Sequence, residues 1–353
     1  MPERPARSFP GRPVADRLSL SMRASHLLVV LLVVAGLALA ALGSALGDTF
    51  YLRLATEALI YAGLALSVDI LLGYTGLLSL GQALYFGIGA YVSALTLMAV
   101  PSFWLALLAA SGATLVAALI GGVIANRVRG VYFALITFGL AQVVAKVVYN
   151  TRELGASDGM IGVPVVEVPL GPFHVSTGSA PGFLLVALAL LVLLYAVSAY
   201  LLDTPFGRVL IALKANERRV AFLGYSTWRA RMAAYVLAAL VAGLSGALYP
   251  MLRGFVSPEL LYFQVSGNAV ITVVVGGVGT LVGPIYGAIL LTVLKSVIGS
   301  WTEHQLIVIG VLFMASVLFL PQGLIGLLRP RLARWLGRAE PPPAKAAEAE
   351  ARP

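Results

Sequence analysis

The fold is decided at residues 203–231, DTPFGRVLIALKANERRVAFLGYSTWRAR, a polar stretch with an apolar run on either side. The flanking runs, 183–202 and 231–252, each have about the 20 residues that an α-helix needs to cross a bilayer. Between them, residues 208–222 mix basic and apolar side chains, and Gly224 follows as a residue typical of helix ends. This pattern predicts two membrane spans joined by a short amphipathic helix over 208–222.

Composition extends this interpretation to the whole chain. The 353 residues are 60% hydrophobic and 11% charged, and the mean hydropathy is +0.95. A soluble domain has no interior large enough to hide that much apolar surface, so we predict an all-α polytopic integral membrane protein. The absence of cysteine excludes disulfides, thiolate metal sites and cysteine nucleophiles.

Ten apolar runs predict about ten transmembrane helices within residues 26–328. The first run ends in a sequence that resembles a signal-peptidase site, but it is longer than the usual apolar core of a signal peptide, about 7–15 residues. We therefore expect it to be retained. The runs lie at 26–47, 52–72, 76–98, 102–126, 131–150, 183–202, 231–252, 262–280, 284–299 and 304–322.

The placement of Lys and Arg predicts the side of the membrane on which each segment lies. With the N-terminus in the cytosol, 19 of the 24 Lys and Arg fall on cytosolic segments and five at or beyond outer ends. The positive-inside rule predicts this asymmetry, so we expect a disordered Pro- and Arg-rich cytosolic tail at 1–25 and a low-complexity cytosolic tail at 329–353. We therefore attribute the net charge of +9 to the Lys and Arg on cytosolic segments, and we expect the chain to contact membrane lipid and not nucleic acid.

Two glycine clusters, 73–82 and 276–284, break the apolar pattern once in each half of the chain. Paired interruptions of this kind point to internal repeats around a transport path, although glycines that allow close helix packing would give the same pattern. On the first interpretation, polar groups and glycines near the breaks line the path. These candidates are Tyr74, Thr75, Gln82, Ser266, Asn268, Gly276 and Gly279.

Energy-coupling and catalytic motifs are absent from the sequence. No lysine follows a glycine as a P-loop requires, so the chain cannot hold ATP in that way. We interpret Glu57 and Asp69 as groups at the outer and inner ends of a span, and not as ion ligands at mid-bilayer. We predict no catalytic, cofactor-binding or metal-binding residues, and a pore driven by energy from outside fits best.

Six motifs give the chain a family likeness. In order from about Leu54 to Leu328, the sequence resembles the LivM-type membrane subunits of branched-chain amino-acid ABC importers. The motifs are GYTGLLSLGQALYFGIGAYVSAL (73–95), GVYFALITFGLAQVV (130–144), GASDGMIGVP (155–164), DTPFGRVLIALKANERRVAFLGY (203–225), GGVGTLVGPIYGAIL (276–290) and TEHQLIVIGVLFMASVLFLPQGLIGLL (302–328).

The resemblance implies a helical permease of the ribose and branched-chain amino-acid ABC importer type in the bacterial inner membrane. It also implies a LivH-like second permease, two cytosolic ATPases and a periplasmic binding protein as partners. Importers of urea, amides and aromatic acids have similar subunits, so the substrate stays open. A self-sufficient carrier or channel is the alternative of a different class.

Within this family likeness, the cytosolic segment 203–231 is expected to contact the ATPase. We expect Val220 and Phe222 to be exposed apolar groups and Glu217 to meet a basic group of the ATPase. A solvated surface charge is the alternative for Glu217. The expected coupling residues are Arg208, Asn216, Glu217, Ala221 and Gly224.

Residues 151–182 form the longest predicted outer loop. Charged groups on a rim set the encounter and register of a partner. Arg152, Glu153 and Asp158 are therefore expected to contact the periplasmic binding protein, with a solvated linker as the alternative.

The predicted topology can be tested by adding cysteines to this cysteine-free chain. The variants Ser157→Cys and Ala344→Cys are expected to react with a membrane-impermeant thiol reagent from opposite sides of the membrane. Position 157 is predicted to lie on the outer loop and position 344 on the cytosolic tail. The measurement is labelling of intact cells against inverted membrane vesicles. Labelling of both positions from the same side would contradict the assignment.

Overall fold

The computed structural model describes residues 14–47, 49–170, 173–301, 307–308, 310–311, 314 and 323–325. A π-helical turn, Ile70–Thr75, continues the second helix, and short strands lie at β1 Met160–Ile161, β2 Glu167–Leu170, β3 Phe173–Ser176 and β4 Phe255–Val256. The helices are α1 Val14–Leu46, α2 Thr49–Asp69, α3 Gln82–Ala99, α4 Phe103–Ala125, α5 Val131–Asn150, α6 Ala180–Asp203, α7 Pro205–Phe222, α8 Thr227–Ala247, α9 Tyr249–Arg253, α10 Phe263–Gly276 and α11 Val282–Trp301.

Eight helices in the described part are long and apolar enough to cross a membrane, and α10 is an apolar helix of only 14 residues. The prediction of an all-α polytopic membrane fold is therefore confirmed. The predicted tenth span, 304–322, lies mostly outside the described residues, as does the whole of 329–353. The total of ten spans stays a prediction.

The first helix begins earlier than the sequence pattern indicates. α1 starts at Val14, so residues 14–25 are helical although they were predicted to belong to a disordered tail. The last proline of the tail is Pro13, and a helix can begin directly after a proline but seldom continues through one. The segment that follows is rich in residues with good helix propensity, such as Ala, Arg, Leu and Met.

The α2 helix lies at the centre of the bundle, where it packs against α6, α8, α10 and α11. Its C-terminal half is almost entirely buried, and the burial includes Ala62, Gly63 and Ala65. These small residues let the neighbouring helices approach closely: a Cβ added to Gly63 would overlap the Ser245 side chain of α8.

A second close contact joins α3 to α8. A Cβ added to Gly89 of α3 would overlap the backbone carbonyl of Gly243 on α8, and one added to Gly246 would overlap the carbonyl of Phe86. Water does not drive helices together inside a bilayer, so close packing of this kind supplies much of the attraction.

At one end of the bundle, the long connection between α5 and α6 is attached to the end of α9. β1 pairs antiparallel with β4, and the N–H groups of Gly162 and Val163 both donate to the carbonyl of Gly254 at 3.1 Å. β2 and β3 form a separate hairpin within the same connection. The predicted loop 151–182 therefore contains short regular pairing.

We expect Gly89→Ala to lower the thermal unfolding midpoint of the detergent-purified protein. The added methyl meets backbone atoms of α8 that cannot rotate away, and overpacking of this kind costs about 1–3 kcal/mol. Gly112→Ala is the matched control, since an added Cβ there has no neighbour within 4 Å. Equal midpoints for the two variants would contradict the close crossing.

Candidate functional site

Four segments meet at one end of the bundle and form a surface that we call the basic face. They are the turn 73–81, the connection 126–130, the stretch 203–231 and the turn 277–281. Lys214 Nζ donates to the carbonyl of Gly73 at 2.7 Å, so α7 is bonded directly to the turn 73–81, which we call the first turn; the turn 277–281 is the second. The segments on this face are those that the charge pattern assigns to the cytosol.

The α7 helix on the basic face consists of two helical segments that meet at Asn216. The backbone there is extended, with φ −163° and ψ 100°. Its side-chain Oδ1 accepts the N–H of Arg219 at 3.2 Å and so caps the second segment. The single helix predicted over 208–222 is therefore divided, because Asn216 supplies the acceptor where the helical ladder stops.

Glu217 is engaged within the chain. Its Oε1 lies 3.2 Å from Arg129, in the connection before α5, and 3.5 Å from Arg231 of α8. Arg231 is buried, so the carboxylate holds a buried cation and joins three parts of the basic face. This differs from the predicted contact with a basic group of a partner, because Glu217 already has two basic neighbours.

Large apolar side chains are exposed from the end of α7 to the first turn of α8, and we call this group the α7 tip. Phe222 is 91% exposed, as predicted. Val220, predicted to be exposed beside it, is instead buried in the core cluster, because it lies on the inner side of the second segment. The α7 tip consists of Phe222, Leu223, Tyr225 and Trp228.

The other predicted coupling residues lie on the same segment. Gly224 has φ 82°, a left-handed conformation that ends the helix as the sequence predicted. Arg208 and Ala221 are exposed and leave their side chains open to a partner.

Asp69 joins the two glycine-rich turns. It is fully buried at the end of α2, and its carboxyl oxygens accept the N–H of Gly279 at 2.6 Å and the N–H of Leu281 at 3.0 Å. Leu281 has φ 56°, a conformation that leucine rarely adopts and that these bonds hold in place. A Cβ on Gly73 would lie 2.6 Å from Gly279 Cα, so the turns are also in direct contact.

Asp69 therefore lies at the inner end of the span, as interpreted, but it is buried and bonded to the turn 277–281, and sequence reasoning missed these bonds and that of Lys214. Both residues organise the basic face from within. The signal that could have indicated Asp69 is a carboxylate just before a glycine cluster in an otherwise apolar run.

Several predicted path residues have structural partners. Thr75 Oγ1 donates to the carbonyl of Leu71 at 2.6 Å, and Ser266 Oγ accepts the N–H of Ala83 at 3.0 Å. Gln82 is fully buried, and neither of its side-chain polar atoms has a hydrogen-bond partner in the described part of the chain.

The remaining path candidates are divided between the two ends of the bundle. Tyr74 is half-buried in the first turn, while Gly276 and Gly279 shape the second turn. Asn268 lines a cavity near the opposite end. The structure therefore does not bring the seven predicted residues together into one site.

That cavity has a volume of about 690 Å³ and lies between α2, α9, α10 and α11. Four of its lining residues are charged: Arg53, Glu57, Arg253 and Lys295. Arg253 donates through Nη2 to Glu57 Oε2 at 2.7 Å. A partly enclosed space of this size, with charged groups among mostly apolar walls, matches the usual dimensions of small-molecule sites, about 300–1,000 Å³.

Arg152, Glu153 and Asp158 lie on the end of the molecule opposite the basic face. All three are exposed, the first two in a turn of 3₁₀ helix, Arg152–Leu154. Asp158 Oδ1 accepts the hydroxyl of Ser157 at 3.1 Å. Their charges are therefore exposed at that end of the bundle.

Comparison with known families decides the class of protein. A family model described as "Branched-chain amino acid transport system / permease component" matches residues 50–317. The chain belongs to this family. It is a permease subunit of an ABC importer, and its family is a transport component and not a class of catalytic enzyme.

The permease is similar to curated LivM proteins, which confirms the resemblance. The high-affinity branched-chain amino acid transport system permease proteins LivM of Salmonella typhimurium and Escherichia coli are each 32% identical to it over 310 residues, covering 81% of this chain and 72% of the relative. LivH of Escherichia coli is 23% identical over 293 residues, covering 78% and 93%. No solved structure matches the permease.

We expect Asp69→Asn to destabilise the purified permease by about 1–3 kcal/mol, because an amide NH₂ replaces one acceptor and faces a buried N–H. The thermal unfolding midpoint measures this loss. Asp203→Asn, the same change at an exposed position, is the matched control. If both variants unfold at the same temperature, Asp69 does not hold the turn.

Proposed function

We propose that this permease is the LivM-like subunit of an ATP-driven importer that moves branched-chain amino acids into a bacterial cell. It lies in the cytoplasmic membrane with both termini in the cytosol. Its partners are a LivH-like permease, two cytosolic ATPases that hydrolyse the ATP, and a periplasmic substrate-binding protein. The names of its LivM and LivH relatives support the substrate and the second permease.

The observation that carries the proposal is the α7 tip. Its four large apolar side chains are exposed on the basic face, and exposed Arg218, Arg219 and Arg229 lie close in sequence. An apolar cluster rimmed by polar groups is typical of a protein-interaction site. Because the basic face is assigned to the cytosol by its charge, the partner is a cytosolic protein, and the ATPase is the one that an importer requires.

Contacts behind the tip support a role in coupling. Lys214 attaches α7 to Gly73 in the turn after α2, and Gly73 packs on Gly279 in the turn before α11. A movement of α7 imposed by the ATPase therefore displaces the inner ends of α2 and α11. Both of these helices line the cavity at the other end, which gives the movement a physical route to the substrate path.

At the outer end, Arg152, Glu153 and Asp158 are proposed to meet the substrate-binding protein. Exposed charges contribute mainly to the rate and orientation of an encounter, as a partner that delivers substrate repeatedly requires. Permeases for urea, amides or aromatic acids are the alternatives within the class. A self-sufficient carrier or channel is the alternative outside it.

We expect Phe222→Ser to weaken binding of the ATPase by tenfold or more. Truncating a central aromatic group of an interface costs about 2 kcal/mol or more, and about 1.4 kcal/mol corresponds to tenfold in affinity. The measurement is the amount of ATPase subunit that copurifies with the tagged permease from detergent-solubilised membranes. Substrate-stimulated ATP hydrolysis by the reconstituted complex provides a second readout.

The matched control for this prediction is Ile161→Ser. Ile161 is also a large exposed apolar residue, but it lies in β1 at the opposite end and cannot reach a cytosolic protein. Its ATPase yield is expected to equal that of the unmodified permease. Full recovery of ATPase with Phe222→Ser would contradict docking at the tip. Absence of any ATPase from the unmodified preparation would favour the carrier or channel.

A further inference from the structure

The cavity changes in chemistry along its depth. Arg53 and Glu57 lie in the first turns of α2, while Leu64 lies deeper on the same helix. A helix rises about 1.5 Å per residue, so Leu64 lies about 16 Å below Arg53, roughly halfway through a hydrocarbon core of about 30 Å. The mouth is therefore charged, whereas the lower wall is apolar with Ala288 and Leu291 of α11.

Among the described residues that line the mouth, three are basic and one is acidic. Glu57 is paired with Arg253 at 2.7 Å, which leaves Arg53 and Lys295 without a carboxylate within ion-pairing distance among the residues that the structure describes. Arg53 is exposed and Lys295 is partly buried, and charged groups of a membrane protein that face a water-filled cavity often mark a solute pathway. Two cations without an ion-pair partner above an apolar pocket favour a solute whose one end is anionic and whose other end is apolar.

We propose that this cavity is a substrate site of the permease and that it selects small apolar solutes carrying a carboxylate, which Arg53 and Lys295 bind. This rests on the proposed function only in requiring that a substrate passes through the permease. Within the described residues, only Oε2 of Glu57 is engaged, so Oε1 and the side chain of Asn268 are placed to accept the ammonium of an amino acid. Neutral urea and simple amides lack the group that the two cations bind.

The first test measures the charge preference of the cavity. Ser296→Cys places a thiol on the cavity wall, and the absence of native cysteine means that label on this chain reports that position alone. In the assembled transporter, we expect a sulfonate-bearing thiol reagent to react faster than a trimethylammonium-bearing one, by about fivefold or more, once both rates are normalised to those of the exposed Ser157→Cys.

Charge-removing variants identify the source of that preference. Arg53→Gln combined with Lys295→Gln is expected to remove it, while Lys295→Arg retains it. Lys146→Gln is the matched control, because Lys146 lies near the same end of the bundle on α5 but does not line the cavity. The assignment would be overturned if the two reagents label Ser296→Cys at equal normalised rates while Arg53 and Lys295 are both present. It would also be overturned if the double variant keeps the preference for the sulfonate reagent.

The second test asks which solute occupies the cavity. L-leucine at millimolar concentration is expected to slow the labelling of Ser296→Cys at least twofold, whereas L-leucinamide, in which a carboxamide replaces the carboxylate, is expected to have no effect. The proposal would be contradicted if L-leucine and L-leucinamide slow the labelling equally, or if neither slows it. This outcome is independent of ATPase copurification, so a transporter that binds its ATPases but fails here would retain the proposed function and lose the proposed site.

Discussion

Inside a bilayer, a backbone N–H or carbonyl that leaves a helix must find another partner, because no water is present to provide one. The permease interrupts its helices after α2 and before α11, and side chains of the chain itself bond to backbone groups at both interruptions. Asp69 accepts two N–H groups of the second turn, and Lys214 donates to a carbonyl of the first. Because Lys214 belongs to α7, the exposed segment of the basic face is part of the same arrangement that makes the breaks possible.

The features that the sequence predicted well are those that depend on neighbouring residues. Apolar runs of bilayer length gave the helical membrane fold, and Gly224 ended α7 because a glycine tolerates the left-handed backbone there. The contacts of Asp69 and Glu217 within the chain were missed for the opposite reason. The N–H that Asp69 binds lies 210 residues away, and Glu217 is held by arginines from two other segments, so no local pattern indicates either contact.

The cavity illustrates the same limit for the candidate site. Arg53 and Glu57 lie near the outer end of α2, Arg253 at the end of α9 and Lys295 in the last turns of α11, and charges at helix ends are typical of a membrane boundary. Only the packing of α2 against α10 and α11 brings them to one space. The glycine clusters carried a real signal, but in the described structure that signal is close packing, and of the seven residues predicted from them only Asn268 lines the cavity.

The pairing of β1 with β4 has a mechanical consequence. Gly159, just before β1, lies so close to Val256 that a Cβ would overlap its carbonyl, and Phe255 of the same strand lines the cavity mouth. The outer connection and the rim of the cavity are thus bonded backbone to backbone, with no flexible linker between them. A binding protein docked on residues 152–158, as proposed, would therefore push directly on the rim of the proposed substrate cavity.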